Sequence, residues 1–141
     1  MSIDNNRIIY ELCSFIPYFK NIDPDKACQW KGGEKLDDGV ISLPYPEYDK
    51  EFMKFVDAFY KSGISVGDYK NELNLKIPNW KTVDIHKVIE TADFDLLKVI
   101  LTKCIRVERF CDGAWHGSIR DGLFLAILQR LNVLLVNNKV S

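Results

Sequence analysis

Apolar residues recur at helical spacing along much of the chain, and two stretches of the N-terminal half show the pattern well. Residues 48–62 are predicted to form an amphipathic helix ending at Gly63, because apolar residues recur there at i, i+3, i+4, i+7 and i+8. The stripe consists of Phe52, Phe55, Val56, Phe59 and Tyr60. A similar spacing predicts a first helix over residues 5–19, which Asp4 would cap and Pro17 would kink or restart.

The densest apolar pattern lies in residues 93–134. Asp93 can cap a helix that runs to about Phe110 and is apolar around most of its circumference, which is typical of a buried helix. A short Cys-Asp-Gly turn separates it from another helix that carries Trp115 to Leu134, in which Gly117 and Gly122 are weak points. Two long helices joined by so short a turn pack antiparallel, so we expect a helical hairpin with the other helices packed on it.

Residues 20–46 carry turn residues instead of a helical stripe. The turn signals are Gly32-Gly33 and Asp38-Gly39. Extended runs at residues 28–31 and 40–43 predict a small β-hairpin or flap near residues 28–43. Pro46 argues against a central strand beyond the flap, because proline has no N–H to donate to a sheet.

The segment before the hairpin shows weaker patterns. Residues 64–69 resemble a short strand, residues 70–83 a loop anchored by Trp80, and residues 84–90 a short helix. The fold class predicted from these elements is mostly α, or α+β at most: a compact helical bundle built on the antiparallel hairpin. We expect residues 1–141 to form a single domain.

Composition and charge exclude several classes of protein. The chain has 141 residues, of which 47% are apolar and 28% charged, as in ordinary globular domains. A net charge of −1 argues against nucleic acid as a partner, and no apolar run could span a membrane. Four cysteines in no close pair and two distant histidines predict no metal site. We therefore expect a soluble cytoplasmic protein with reduced thiols and no cofactor.

Polar side chains concentrate between Arg106 and Asp121, around the predicted hairpin turn. The candidate ligand-binding residues are Arg106, Arg109, Asp112, Trp115, His116 and Arg120. Helix N-termini favour anions, guanidinium groups bind phosphate or carboxylate, and indole and imidazole rings offer flat faces to a planar group. The segment therefore predicts non-catalytic binding of a small anionic, nucleotide-like ligand at the turn.

Three other interpretations of these residues stay open. The cluster can be a purely structural ion-pair network in which Asp112 caps the second helix. The protein can be a hydrolase or transferase acting on a nucleotide-like substrate, with Glu108, Asp112 or His116 as acid–base group. It can also be a protein-interaction module, or a homodimer, that uses exposed aromatic residues such as Tyr45 and Tyr48. No residue is assigned as catalytic, because the chain contains no established catalytic motif.

The E-R-F-C-D-G run at residues 108–113 is the most specific motif of the chain. Together with Thr91-Ala-Asp93, Asp121-Gly122 and Ile16-Pro17-Tyr18-Phe19, it resembles a bacterial domain-of-unknown-function family, numbered six-five-zero-eight. Val107 departs from the small residue expected before the run. The resemblance implies a small protein of bacterial or phage origin. It supplies no activity and no catalytic residues.

Overall fold

The computed structural model describes the backbone of residues 2–138 and the side chains of residues 5–138. The helices are α1 (Ser2–Cys13), α2 (Ile16–Asn21), α3 (Pro24–Ala27), α4 (Lys50–Ser62), α5 (Tyr69–Lys76), α6 (Ile85–Thr91), α7 (Phe94–Arg106), α8 (Ala114–Arg120) and α9 (Leu123–Val136). The strands are β1 (Cys28–Lys31) and β2 (Tyr45–Tyr48), and one 3-10 turn spans Val107–Arg109. The protein is mostly α with a small β-hairpin, as predicted.

The N-terminal helix differs from the prediction in its start. Helix α1 includes residues 2–4, so it starts before the predicted residue 5. The chain then breaks and restarts: α2 begins at Ile16, with Pro17 in its first turn. Proline is tolerated there because a first-turn N–H has no partner within the helix. The predicted restart at Pro17 is therefore confirmed.

Helix α4 has well-defined ends. The Asp49 carboxylate accepts a hydrogen bond from the backbone N–H of Phe52 at 2.7 Å, so this aspartate is its N-cap. Gly63 ends the helix with φ of 78°, in the left-handed region that favours glycine. The hydroxyl of Tyr18 donates to the Asp49 carboxylate at 2.9 Å and thereby fixes α2 against the start of α4.

The core lies where α1, α2, α4, α7 and α9 meet. Its centre is aromatic: the ring centroids of Phe19 and Phe55 are 5.0 Å apart, and those of Phe55 and Phe124 are 5.5 Å apart. Helix α7 is buried around most of its circumference, as the sequence predicts. The fully buried side chains include Ile9, Leu12, Phe52, Phe59, Leu97, Ile100, Leu101, Ile105 and Ile127.

Helices α7 and α9 form the expected antiparallel pair, although the segment after the turn is divided into two helices, α8 and α9. Asp93 caps α7 by accepting from the N–H of Leu96 at 2.8 Å. The prediction of one helix from Trp115 to Leu134 is wrong, because Gly122, with φ of 72°, separates α8 from α9, whereas Gly117 lies within α8. Helix α9 returns along α7, since the Arg130 guanidinium donates to the Ala92 carbonyl at 2.9 Å.

The predicted small β-hairpin is present, and we call residues 28–48 the β-arm. Strand β1 pairs antiparallel with β2, so the second strand is 45–48 rather than the predicted 40–43. Pro46 lies opposite Trp30 within this pair. A two-stranded sheet has only edge strands, which explains why proline is accommodated.

The segment between α4 and α7 contains one more helix than predicted. Residues 64–69 form no strand in the structure, and α5 replaces most of the predicted loop at 70–83. Only Tyr69 and Leu73 of α5 are buried, so its sequence shows little periodicity, and packing against α7 stabilises it. The short helix α6 is confirmed. Within the described residues, no helix is long and apolar enough to cross a membrane.

Candidate ligand-binding site

The turn between α7 and α8 is closed by a carboxylate of the chain itself. Glu108 accepts hydrogen bonds from the backbone N–H of Gly113 at 3.0 Å and of Trp115 at 2.9 Å. Asp112 is exposed and makes no bond to the helix; Gly113, with φ of 90°, occupies the N-cap position instead. The prediction that Asp112 caps this helix is therefore wrong, because Glu108 reaches the free N–H groups from the preceding 3-10 turn.

Tyr48 of the β-arm completes this closure. Its hydroxyl donates to the Glu108 carboxylate at 3.0 Å and accepts from the backbone N–H of His116 at 3.2 Å. Burial, and next the nearby Glu108 charge, raise the pKa of Tyr48 above its ordinary value. The N–H groups at the start of α8 thus have partners within the protein and point at no open space.

Trp115 belongs to the edge of the core. Its indole N–H donates to the Ile105 carbonyl at 2.9 Å, which joins α8 to α7. The ring centroid lies 5.1 Å from that of Tyr48 and 5.3 Å from that of Phe52. The half-buried indole therefore packs against two other aromatic side chains of the protein.

His116 faces α3. The imidazole is buried, and its Nε2 lies 3.3 Å from the Asp25 carboxylate. A guanidinium nitrogen of Arg120 lies 3.5 Å from each ring nitrogen of His116. These three residues form a small polar cluster on the side of α8 that carries none of the other candidate residues.

The two arginines before the turn diverge. The guanidinium carbon of Arg106 lies 5.5 Å from the centroid of the Tyr69 ring on α5, whereas Arg109 is exposed and forms no ion pair with any described residue. Of the six candidate residues, only His116 and Arg120 therefore lie together, and Arg106 alone lines a smaller cleft that adjoins the main cleft described below. The side chains of Glu108 and His116 likewise have different partners, although the Tyr48 hydroxyl bonds to the Glu108 carboxylate and to the His116 backbone.

The main cleft lies between α5, the loop after it and the end of α7, and we call it the aromatic cleft. Its volume is about 400 Å³, a size typical of small-molecule sites. The apolar wall consists of Tyr69, Leu73, Trp80, Val107 and Phe110. The Trp80 indole donates to the Asn74 side chain at 3.1 Å, which fixes the orientation of the ring. Phe110 is 75% exposed, so an aromatic face is open to solvent.

Cationic side chains surround the aromatic cleft. The ammonium of Lys103 lies 4.7 Å from the Trp80 ring centroid, that of Lys81 lies 5.9 Å from it, and that of Lys70 lies 5.2 Å from the Phe110 centroid. Arg106 lines a smaller cleft of about 260 Å³ that shares Tyr69, Lys70 and Phe110 with the aromatic cleft and also contains Asp68. The combined rim therefore has four cations and one carboxylate.

Sequence reasoning missed this cleft because its residues are dispersed along the chain. Two signals were present: the aromatic residues of Tyr69-Lys70 and Trp80-Lys81 are each followed directly by a lysine. A third was the spacing of Lys103, Arg106 and Phe110 at i, i+3 and i+7, which places them on one side of a helix. Within the described residues, no group of three or more His, Cys, Asp or Glu side chains could hold a metal ion.

Comparison with known proteins places the chain in one family. The model of a family of unknown function, DUF6508, matches residues 5–137. The chain belongs to this family, which confirms the resemblance carried by the E-R-F-C-D-G run. No curated protein and no solved structure gives a significant match to the chain. Family membership assigns no activity, so function has to be argued from the geometry.

Proposed function

We propose that the protein binds a small, planar, anionic ligand of nucleotide-like chemistry in the aromatic cleft, without transforming it. The observation that carries the proposal is the combination of three aromatic side chains with three lysines around a cavity of about 400 Å³, next to a cleft of about 260 Å³ that Arg106 lines. The cleft adjoins the hairpin turn through Val107 and Phe110, so the binding region expected at the turn shifts to its α5 side.

Stacking supplies the apolar part of the proposed interaction. Stacking of a base on an aromatic side chain contributes about 1–3 kcal/mol. Phe110 offers an exposed ring, and Trp80 is held by its bond to Asn74, so little conformational entropy is lost when a ring binds there. A ring in the cleft would also cover the exposed surface of Phe110.

The cationic side chains of the rim supply the contacts for the anionic group of the proposed ligand. The lysines and Arg106 lie over aromatic rings in the structure, with no carboxylate within ion-pair distance of Lys70, Lys81 or Lys103 among the described residues. Their long side chains can turn from the rings to a phosphate or carboxylate, with the planar guanidinium of Arg106 giving the more directional contact. The turn itself offers a weaker alternative, since Glu108 already occupies the N-terminus of α8.

Equilibrium dialysis with nucleoside monophosphates, free nucleosides and inorganic phosphate tests the proposal. We expect a monophosphate to bind at least about tenfold more tightly than its nucleoside, because the rim recognises charge. Phe110→Ala and Lys70→Glu should each weaken binding by about tenfold or more without unfolding the chain, since both side chains are exposed.

Two matched controls sharpen this experiment. Lys87→Glu makes the same charge change on the exposed side of α6, away from the cleft, and should leave the affinity unchanged. Arg106→Ala should weaken binding whereas Arg109→Ala should not, because only Arg106 borders the cleft region. Absence of binding by every probe, or equal loss in Lys87→Glu and Lys70→Glu, would contradict the proposal.

A further inference from the structure

The β-arm is the part of the molecule that the ligand proposal does not use. Residues 29–41 are all exposed, although they include several large apolar side chains. Of the large apolar side chains that are exposed within the described residues, six lie on this arm: Trp30, Leu36, Val40, Ile41, Leu43 and Tyr45. Exposed apolar clusters of this kind mark interaction surfaces in folded proteins.

The arm is an ordered element with a fixed root. Trp30 packs against the turn before α8 so closely that a Cβ atom added at Gly113 would lie 2.6 Å from the indole. Cys28 is buried beside α3, and Tyr48 bonds to Glu108. The protein therefore holds the base of the arm rigidly against its body.

The distal half of the arm is also hydrogen-bonded. Gly33 donates to the Ser42 carbonyl at 2.8 Å, and Leu36 donates to the Val40 carbonyl at 2.7 Å. The Asp38 carboxylate accepts from the N–H of Val40 at 3.0 Å and shapes the tip. Because the backbone is paired to the tip, the apolar side chains are presented in a defined geometry to whatever covers them.

The arm carries charges of both signs. Lys31 and Lys35 lie on the outgoing side with Glu34 between them, and Asp37 and Asp38 form the tip. If two such arms lie side by side in opposite directions, the tip of each comes against the lysines of the other. Glu47, at the root, lies opposite Gln29 and outside this overlap.

From this charge pattern we infer that the β-arm docks a second copy of this chain, with two arms packed antiparallel about a twofold axis. One twofold contact covers the apolar side chains of both arms at once and brings Asp37 and Asp38 of each near Lys31 and Lys35 of the other. Closed twofold dimers are the commonest symmetric assemblies, and complementary charge sets their orientation. The aromatic cleft takes no part, so the inference is independent of the proposed ligand.

The test is the mass of the full chain in solution, measured by light scattering after size exclusion over a range of concentrations. We expect twice the chain mass of 16.3 kDa. An acidic-arm variant, Lys31→Glu with Lys35→Glu, and a basic-arm variant, Asp37→Lys with Asp38→Lys, should each raise the dissociation constant by at least about tenfold. An equimolar mixture of the two variants should restore the dimer, because the arm charges again oppose each other.

A second pair of variants tests the apolar contact. Leu43→Lys should give a monomer, since this side chain is 84% exposed in the single chain and would be covered in the dimer. Leu75→Lys, on an exposed apolar residue of α5 that is 68% exposed, should leave the dimer intact. The inference is overturned if the wild-type chain is a monomer at every concentration. An arm that binds only a different protein would give that result. A dimer that none of the arm variants weakens also overturns the inference.

Discussion

The carboxylate of Glu108 lies 2.9 Å from the backbone nitrogen of Trp115 and accepts its hydrogen bond. This contact spans the turn between α7 and α8. The same carboxylate also accepts hydrogen bonds from the N–H of Gly113 and from the Tyr48 hydroxyl. A side chain that follows α7 thereby accepts hydrogen bonds from N–H groups at the start of α8. Its bond with Tyr48 joins the β-arm to both helices.

Removal of this carboxylate should destabilise the protein. Glu108→Ala leaves two backbone N–H groups and one hydroxyl without their acceptor in a half-buried region. Because hydrogen bonds to a charged group contribute about 1.5–3 kcal/mol, we expect the free energy of unfolding to fall by about 2–3 kcal/mol. Urea denaturation followed by circular dichroism measures the change.

Asp112→Ala is the matched control for that variant. Asp112 is exposed and bonds to no described residue, so its loss should change the free energy of unfolding by less than about 0.5 kcal/mol. If Asp112→Ala were as destabilising as Glu108→Ala, the aspartate would act as the cap after all, and the structural account of the turn would be wrong.

Local signals in the sequence were sufficient for most of the helices. Asp49 and Asp93 were followed by apolar residues at helical spacing, and both start helices in the structure. The β-arm was misplaced because its second strand, β2, contains Pro46, and sequence rules exclude proline from central strands only. Helix α5 was missed because its burial depends on packing against α7, which no local pattern records.

The candidate site was harder to predict for a different reason. Arg106 and Arg109 are three residues apart and share a helix face only if the helix continues. The chain instead changes to a 3-10 turn at Val107, so the two guanidinium groups separate. The aromatic cleft combines Trp80 with Phe110, which are distant in sequence, and only the tertiary fold brings them together.

Substitution of Gly113 should reveal how closely the β-arm packs on the turn. Gly113→Ala places a Cβ atom 2.6 Å from the Trp30 indole at a residue with φ of 90°, so it adds a clash to backbone strain. Gly122→Ala has φ of 72° with open space around the added atom, so it adds strain alone, at a cost of about 1–2 kcal/mol. We expect Gly113→Ala to be the more destabilising of the two in thermal denaturation.

A double-mutant cycle separates the clash from the strain. When Trp30→Ala is combined with Gly113→Ala, the loss of stability should be smaller than the sum of the two single losses, because the clash is absent. Strict additivity would show that the indole does not pack on Gly113 in solution.

Tyr48 should make stability sensitive to alkaline pH. Burial and the Glu108 charge raise the pKa of this tyrosine in the folded state above the ordinary value of 10.0. The unfolded chain therefore loses this proton first as pH rises past about 10, and stability falls from there upward. Above pH 10, Tyr48→Phe should reduce the slope of the unfolding free energy against pH by up to the equivalent of about one proton.

The slope, not the absolute stability, is the measurement for Tyr48→Phe, because loss of the hydroxyl also removes two hydrogen bonds. Urea midpoints at a series of pH values from neutral to alkaline give that slope. Tyr10→Phe removes a phenol that is 70% exposed and serves as the control. Identical slopes for Tyr48→Phe and the wild type would contradict the closure of the turn by Tyr48.

The four thiols should react in an order set by burial. Cys111 is exposed, whereas Cys104 is buried and its pKa is raised to about 11 by desolvation. Since the thiolate is the reactive form, a water-soluble disulfide reagent at neutral pH should modify one thiol quickly. Cys111→Ser should abolish the fast phase, and Cys104→Ser should leave it unchanged.

The slow phase of the same experiment reports on the core. Cys104 lies on α7, whose centre is fully buried, so its modification requires a large opening of the protein. Its rate should rise in step with the destabilisation in Glu108→Ala, while the fast reaction of Cys111 stays constant. Cys104 that reacts as fast as Cys111 in the native protein would mean that α7 is not the centre of the fold, and with it the placement of the turn and the aromatic cleft would be wrong.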